Sequence, residues 1–416
     1  MSHLPYRIGI IGAGLRGSMV MGARATDLAK ESSLRVCGVC DLSKKRAEES
    51  VQLLSALYQR NEIQQEIKVF ENYKELIDSD EIDIVWITTS TNFHREPAVY
   101  ALKSGKKVYL DKPISVSLED SKEILKAEAE YQNPLIMGFT RRYERSWRKA
   151  YELLKEGAIG KLQLMQIRSV IPYTRYFHLW HRLNSRSGGA FNDKCSHHFD
   201  AFNWFAESPC KSISAVGGRS ALFPEDPEAP ERCSDCERDC AYNIFEDPDF
   251  KEMGLKKLPE SFEKATEEEF MFDTCVYKPG SDIYDHMLCH LEYENGVKAS
   301  LFFCIYGPHT EDQETLELVG DQGRMILTRG TGLIDLVTDY GKKKEVIDTR
   351  DDEFSSSHYG ADLELIRDIE KFVSGGTPIA SAKDGDESLR MIHAAVQSVK
   401  EKKHILLEEK IHEQFL

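Results

Sequence analysis

The sequence predicts an α/β fold: a doubly wound parallel sheet first, then an α+β part built on antiparallel hairpins. Three observations predict it. A strand-type run leads straight into a G-x-G-x-x-G turn. Short apolar runs and helical stretches alternate from there to about residue 139, the signature of parallel β-α units. Beyond residue 285 that alternation gives way to consecutive hairpins, which make antiparallel sheet.

The run 6–11 is apolar and opens on Gly12-Ala13-Gly14-Leu15-Arg16-Gly17. Gly12 permits a tight turn at positive φ. Gly14 has no Cβ to hold a pyrophosphate off the backbone, and Gly17 lets the following helix lie close to the strand. That helix, predicted over 18–30, offers N–H groups and a positive dipole end to phosphates. Strand 34–39 follows and leads to Asp41, at the spacing of a ribose-binding carboxylate. A carboxylate there repels a 2′-phosphate and favours NAD. Ser43, Lys44, Lys45 and Arg46 would instead suit NADP, or simply start a solvated helix.

Helices are predicted over 47–58 and 72–77. Strand 82–88 ends in Thr88-Thr89-Ser90-Thr91-Asn92, hydroxyl and amide residues suited to the ligand edge of such a sheet or to a plain turn. A helix over 94–104 stops at Gly105. Strand 107–110 runs into Asp111-Lys112-Pro113, and Ser117 with Asp120 starts the helix to 131. Strand 135–139 completes the sheet. Lys112 is either an ordinary surface lysine or an ammonium fixed beside the cofactor cleft by a proline that restricts its backbone. In the second role it would hydrogen-bond a substrate hydroxyl and favour loss of its proton.

At 416 residues the chain has room for two domains, divided here at 1–137 and 138–416. A net charge of −16 speaks against nucleic acid as a partner. No apolar run is long enough to span a membrane, and no signal peptide is recognisable. Several of the ten cysteines, Cys37, Cys40 and Cys304 among them, lie in strand-like runs and read as buried thiols. That usage predicts a cytoplasmic location.

The ordered set Gly12-x-Gly14-x-x-Gly17, Asp41, Thr89 to His94, Gly105-Lys106-Lys107-Val108 and Asp111-Lys112-Pro113 resembles the Gfo/Idh/MocA oxidoreductase family. Asp111 stands where that family usually has Glu, and Ser90 where it often has Pro. The resemblance implies a nicotinamide-binding Rossmann domain followed by an α/β domain with a large open, mainly antiparallel sheet. It implies cofactor contacts from Gly12, Gly14, Leu15, Arg16, Gly17, Asp41, Thr89, Ser90, Asn92, His94, Asp111 and Lys112. It also makes Lys112 catalytic, in a peptide bond to proline that is often cis.

In the second part, Arg142 reads either as an interdomain ion pair or as a substrate contact. Asp193 and His197 are four residues apart and share a helix face, with Asp200 near it. Such a pair can present a carboxylate and an imidazole to one substrate, or be a capped helix start with a structural histidine. The family's Gly-Gly…Asp-x-x-x-His…Asp pattern matches Gly188, Gly189, Asp193, His197 and Asp200, and implies that Asp193 and His197 join Lys112 in catalysis. His198 points about 100° away. His286 and His290, four apart on a strand, read as sheet residues on one face or as lining of the cleft, and His181 receives no assigned role.

An irregular insertion, about 223–282, contains Cys233-x-x-Cys236-x-x-x-Cys240. With Cys275 these thiols suggest a closed structural zinc site; an iron–sulfur cluster, a redox pair and free thiols are the rivals. The hairpins 286–305 and 314–328 leave an outer sheet face, and the family's habit implies a homo-oligomer, dimer or tetramer, through it. The expected activity is hydride transfer between nicotinamide and a secondary hydroxyl of a sugar, sugar derivative or cyclitol. The rivals are redox-assisted glycoside cleavage or epimerisation with retained NAD, and a non-catalytic dinucleotide sensor.

Overall fold

The computed structural model describes residues 5–247 and 273–407. Six parallel strands form the first sheet: β1 (Tyr6–Ile11), β2 (Leu34–Cys40), β3 (Lys68–Phe70), β4 (Ile84–Ile87), β5 (Lys107–Leu110) and β6 (Leu135–Met137), in the order β3-β2-β1-β4-β5-β6. All four residues of β4 are buried, as a central strand covered on both faces requires. The order reverses between β1 and β4, the switch point where such sheets bind ligands beyond their carboxyl ends.

Helix α1 starts as a wide π-type turn, Leu15–Gly22, and continues as Ala23–Asp27, so the expected helix over 18–30 begins earlier and is not uniformly α. Then come α2 (Lys44–Arg60), α3 (Tyr73–Asp78), α4 (Arg95–Lys103) and α5 (Leu118–Tyr131). Ser117 accepts a hydrogen bond from Asp120 N and caps α5. The stretch Lys68–Phe70, not predicted as an element, adds an edge strand beside β2.

Helix α6 (Arg145–Lys155) leads into a nine-stranded sheet of β7 (Leu162–Val170), β8 (Cys210–Gly218), β9 (His286–Tyr293), β10 (Lys298–Cys304), β11 (Glu314–Gly320), β12 (Gly323–Thr328), β13 (Leu333–Thr338), β14 (Lys343–Asp348) and β15 (Ile405–Leu406). Only β7 and β10 pair in parallel; the other neighbours are antiparallel. Burial alternates along β9 and β10. Their inner side chains pack with the long helix α7 (Gly189–Ala206) in one core. The outer face shows Leu164, Val216, Leu288 and Phe302 to solvent. His286 and His290 share that outer face and stand away from the inner core.

The last two helices return to the first sheet. Residues of α8 (Ala361–Val373) join the core of β1, β2 and β4 through Ile366, Ile369 and Phe372. Helix α9 (Ala382–Glu401) begins with a capping box at Ser381 and packs between α5 and α7. A short turn, Ser357–Gly360, precedes α8 with His358 and Tyr359 at φ of 51° and 53°.

The zinc expectation is corrected here. Cys233, Cys236, Cys240 and Cys275 are free thiols, and no group of His, Cys, Asp or Glu among the described residues is arranged to hold a metal. The insertion is closed by backbone and charge instead. Arg232 and Thr274 form an antiparallel bridge, with Cys233 N donating to Asp273 O and Cys275 N to Glu231 O. Arg232 pairs with Asp273 at 2.8 Å. The His178 ring sits between the carbonyls of Thr274 and Tyr242, at 2.7 and 2.8 Å. Cys233 packs with Leu179 and Ile244, and burial pushes its thiol up to about 12. The stretch 248–272 of the insertion lies outside the described residues.

Candidate active site

The glycine turn is built by close approach. Gly12 has φ of 96°, and a Cβ on it would lie 2.7 Å from Thr89 N. A Cβ on Gly17 would lie 2.1 Å from Gly12 O, so the helix reaches the strand only because the residue is glycine. Over Gly14, by contrast, nothing lies within 4 Å, leaving open backbone at the head of α1. Asp41 accepts from Ala13 N at 2.7 Å and from Ser43 N at 2.9 Å, which fixes its carboxylate beside the turn. These residues fit a dinucleotide: an open backbone for the phosphates and an oriented carboxylate for a ribose.

The other expected cofactor residues divide. Thr88 donates to Gly12 O at 2.8 Å and braces the turn. His94 spans Thr89 O and Pro113 O, at 3.1 and 2.9 Å, and so joins the loop after β4 to the Lys-Pro turn. Asn92 Oδ1 is buried with no partner among the described residues. Thr89 donates its hydroxyl to Ser90 O at 3.3 Å. Arg16 points inward. It pairs with Asp362 at 2.6 Å and Asp111 at 3.4 Å and donates to Tyr109 Oη at 3.3 Å. Arg16 and Asp111 therefore hold the turn from behind. Leu15 packs beside Trp180 and Leu179 of the second half.

The two halves meet at Lys112. Its peptide bond to Pro113 is cis. Its ammonium donates to Asp193 Oδ1 and to Asp193 O, both at 3.0 Å. Helix α7 presents Asp193 there because Gly188 and Gly189, at φ of 73° and 76°, turn the chain into the helix. Asn192 adds hydrogen bonds to Ser115 O and Ser187 O that tie this end of α7 to the Lys-Pro loop. The other oxygen of Asp193 accepts from Tyr176 Oη at 2.6 Å, and His181 Nε2 lies 3.7 Å from Oδ1. Burial alone would raise the Asp193 carboxyl, but Lys112 and His181 hold it well below the usual carboxylate range.

His197 lies one turn further along α7, buried, edge-on to Phe139. Burial, then Lys112, Arg141 and Lys194, push its imidazole well below the ordinary value of 6.5. It is a neutral base, and its Nδ1 has no partner among the described residues. Asp193 is committed to Lys112, Tyr176 and His181 rather than to His197. Asp200 accepts two hydrogen bonds from Arg142, which also pairs with Asp384, so the carboxylate is spent on an ion pair that ties α7 to α9 within the second half. Sequence reasoning missed Tyr176, whose only signal is its place in an aromatic run. A held ammonium and a neutral imidazole beside a dinucleotide turn can polarise an oxygen and exchange its proton.

Residues 6–139 match the family model described as the oxidoreductase family, NAD-binding Rossmann fold, and residues 151–407 its C-terminal alpha/beta domain. The chain is 27% identical over 223 residues to the myo-inositol 2-dehydrogenase of Thermotoga maritima, 53% of this chain and 60% of that protein. It is 24% identical over 219 residues to the inositol 2-dehydrogenase of Salmonella typhimurium, 52% of this chain and 60% of that one. The matched stretch thus spans about three fifths of these curated relatives. Among solved structures, a levoglucosan dehydrogenase in complex with NADH and levoglucosan superimposes with a TM-score of 0.74 at 17% identity, covering 97% of this chain and all of that one.

Proposed function

The chain belongs to the Gfo/Idh/MocA oxidoreductase family, and from that premise we propose that it moves a hydride between nicotinamide and a secondary hydroxyl of a sugar, sugar derivative or cyclitol. NAD is the preferred dinucleotide, because Asp41 stands where a 2′-phosphate would need to be received. The observation that carries the reading is the Lys112–Asp193 contact at 3.0 Å, which joins the nucleotide half to the sheet half. The similarity to two inositol dehydrogenases supports a polyhydroxylated substrate.

The bound nicotinamide supplies the hydride acceptor or donor, and the protein supplies placement and charge. Lys112 hydrogen-bonds the reacting oxygen and stabilises the negative charge that grows there as the O–H proton leaves. His197, neutral, takes that proton. Asp193 holds the ammonium in place, and Tyr176 holds Asp193. The outer face of the second sheet supports a homo-oligomer. Val216, Leu288 and Phe302 stand in one row across β8, β9 and β10, and a second copy would cover them. No helix among the described residues is long and apolar enough to cross a membrane.

Purified protein is offered NAD with myo-inositol, levoglucosan, glucose and a wider set of polyols and sugar acids, while NADH absorbance is followed. Steady NADH formation with at least one secondary alcohol is expected. No NADH from any of them, with dinucleotide bound, sinks the reading. The acid limb of the pH profile should fall below 6.5, because burial keeps His197 unprotonated there.

A further inference from the structure

Helix α7 carries a second polar pair, Lys194 and His198, about 100° round from Asp193 and His197. This pair faces a buried ionic cluster of Arg141, Glu144, Glu314 and Arg329. Arg141 forks onto Glu314 at 2.8 and 2.9 Å and also donates to Glu144. Arg329 donates twice to Glu144, both at 2.8 Å. The two arginines and two carboxylates are thus matched. His198 lies 3.6 Å from Glu314 and adds no charge, since burial pushes its imidazole down to about 4.

Lys194 is the cation left over. It is only 7% exposed. Its ammonium lies 3.7 Å from a Glu314 oxygen already engaged by Arg141, and 5.1 Å from the Tyr173 ring. Among the described residues it makes no hydrogen bond. Three cations therefore face two anions in a desolvated site, where charges normally occur in balance. Lys194 lies near the reaction centre, where its charge is among those acting on His197. Tyr173 packs on Tyr176, with ring centroids 6.0 Å apart, and Tyr176 holds Asp193.

Resting on the proposed function of this site, we propose that Lys194 is a substrate-recognition residue: its ammonium binds a carboxylate carried by the polyhydroxylated substrate, which makes the preferred substrate a sugar acid. Without that anion, burial and then Arg141 and Arg329 pull the proton affinity of Lys194 down, with Glu314 opposing. A bound carboxylate restores it and completes the charge balance of the cluster. Lys112, already paired with Asp193, remains free of this task.

The test is calorimetric binding to full-length protein saturated with NADH, so that no oxidation occurs. Matched pairs are compared: sorbitol with gluconate, xylitol with xylonate, methyl glucoside with methyl glucuronide. In at least one pair the carboxylate should bind about tenfold or more tightly, the size of one charge-assisted hydrogen bond. Lys194→Met should abolish that preference with NADH affinity intact, and Lys194→Arg should keep most of it. Equal affinities within every pair, a preference that survives Lys194→Met, or a loss confined to NADH affinity overturns the proposal. If Lys194→Met does not fold, Lys194→Gln takes its place, and the wild-type comparison stands without either. Carboxylate binding through Lys194 in a protein that oxidises no alcohol would keep this site and reject the function. Oxidation of neutral polyols with no such preference would do the reverse.

Discussion

Two stripes of the same helix meet very different surroundings. Asp193 and His197 look across a domain boundary, where Asp193 is held by Lys112 from the other half and by Tyr176 from its own. Lys194 and His198 look into the second half, where Glu314 draws together Arg141, Lys194 and Arg329. A single residue step along α7 separates the pair at the Lys112 contact from the pair that meets the ionic cluster. The difference teaches that placement of the reactive pair depends on both. In the proposed mechanism the outward stripe supplies the acid–base groups, while His198 and Glu314 on the inward side help fix how α7 is rotated.

Substitutions can separate the two stripes. The largest effect belongs to Lys112→Ala. It should lower kcat by about 10³-fold, within the range of a lost acid–base or oxyanion contact, while NAD affinity measured by fluorescence titration survives. Full turnover in that variant would remove lysine from the mechanism. Glu314→Gln should act the other way, on stability first. It takes from Arg141 the carboxylate it forks onto, and chemical denaturation should show a loss of about 3 kcal/mol. If kcat collapses there while stability holds, the inward stripe is not an anchor.

The next effect is a pH dependence. Folded His198 binds its proton only at about 4, against 6.5 when unfolded. Between those values the unfolded chain binds more protons. Stability present above pH 6.5 is therefore lost as the pH falls toward 4, by about 3 kcal/mol from this residue. His198→Gln should flatten that part of the stability curve, measured by urea unfolding at each pH. The smallest change expected is Tyr176→Phe. Loss of one hydrogen bond to Asp193 should lower kcat about tenfold and leave the melting temperature nearly unchanged. A tyrosine variant as slow as Lys112→Ala would mean that the hydroxyl itself touches substrate.

Local motifs were legible because their physics is local. Gly12, Gly14 and Gly17 are explained by approach distances within one turn, and Asp193 with His197 by the helix repeat. Partners distant in sequence were not legible. Nothing near Arg16 announces Asp362, and Asp193 was joined to Lys112 only through the family pattern, not through the residues around either. Glu314 did leave a signal. It shares a buried strand face with Leu316 and Leu318, and a charge in that alternation marks a buried ion pair. The cysteine spacing brought thiols into one neighbourhood, but among the described residues they form no metal-holding group. The Arg232–Thr274 bridge and His178 already close the loop, and Cys233 is spent on packing.

Helix α8 has a consequence for how the molecule is made. Its Ile366, Ile369 and Phe372 complete the core of the first sheet, its Asp362 receives Arg16 of the glycine turn, and its Glu370 receives Ser33. The first sheet is therefore roofed by a segment translated well after it. On the ribosome it must wait, one flank bare, while the entire second half emerges. An open flank of that kind is what holdase chaperones recognise, and a messenger cut short before α8 would yield a dinucleotide domain that cannot close.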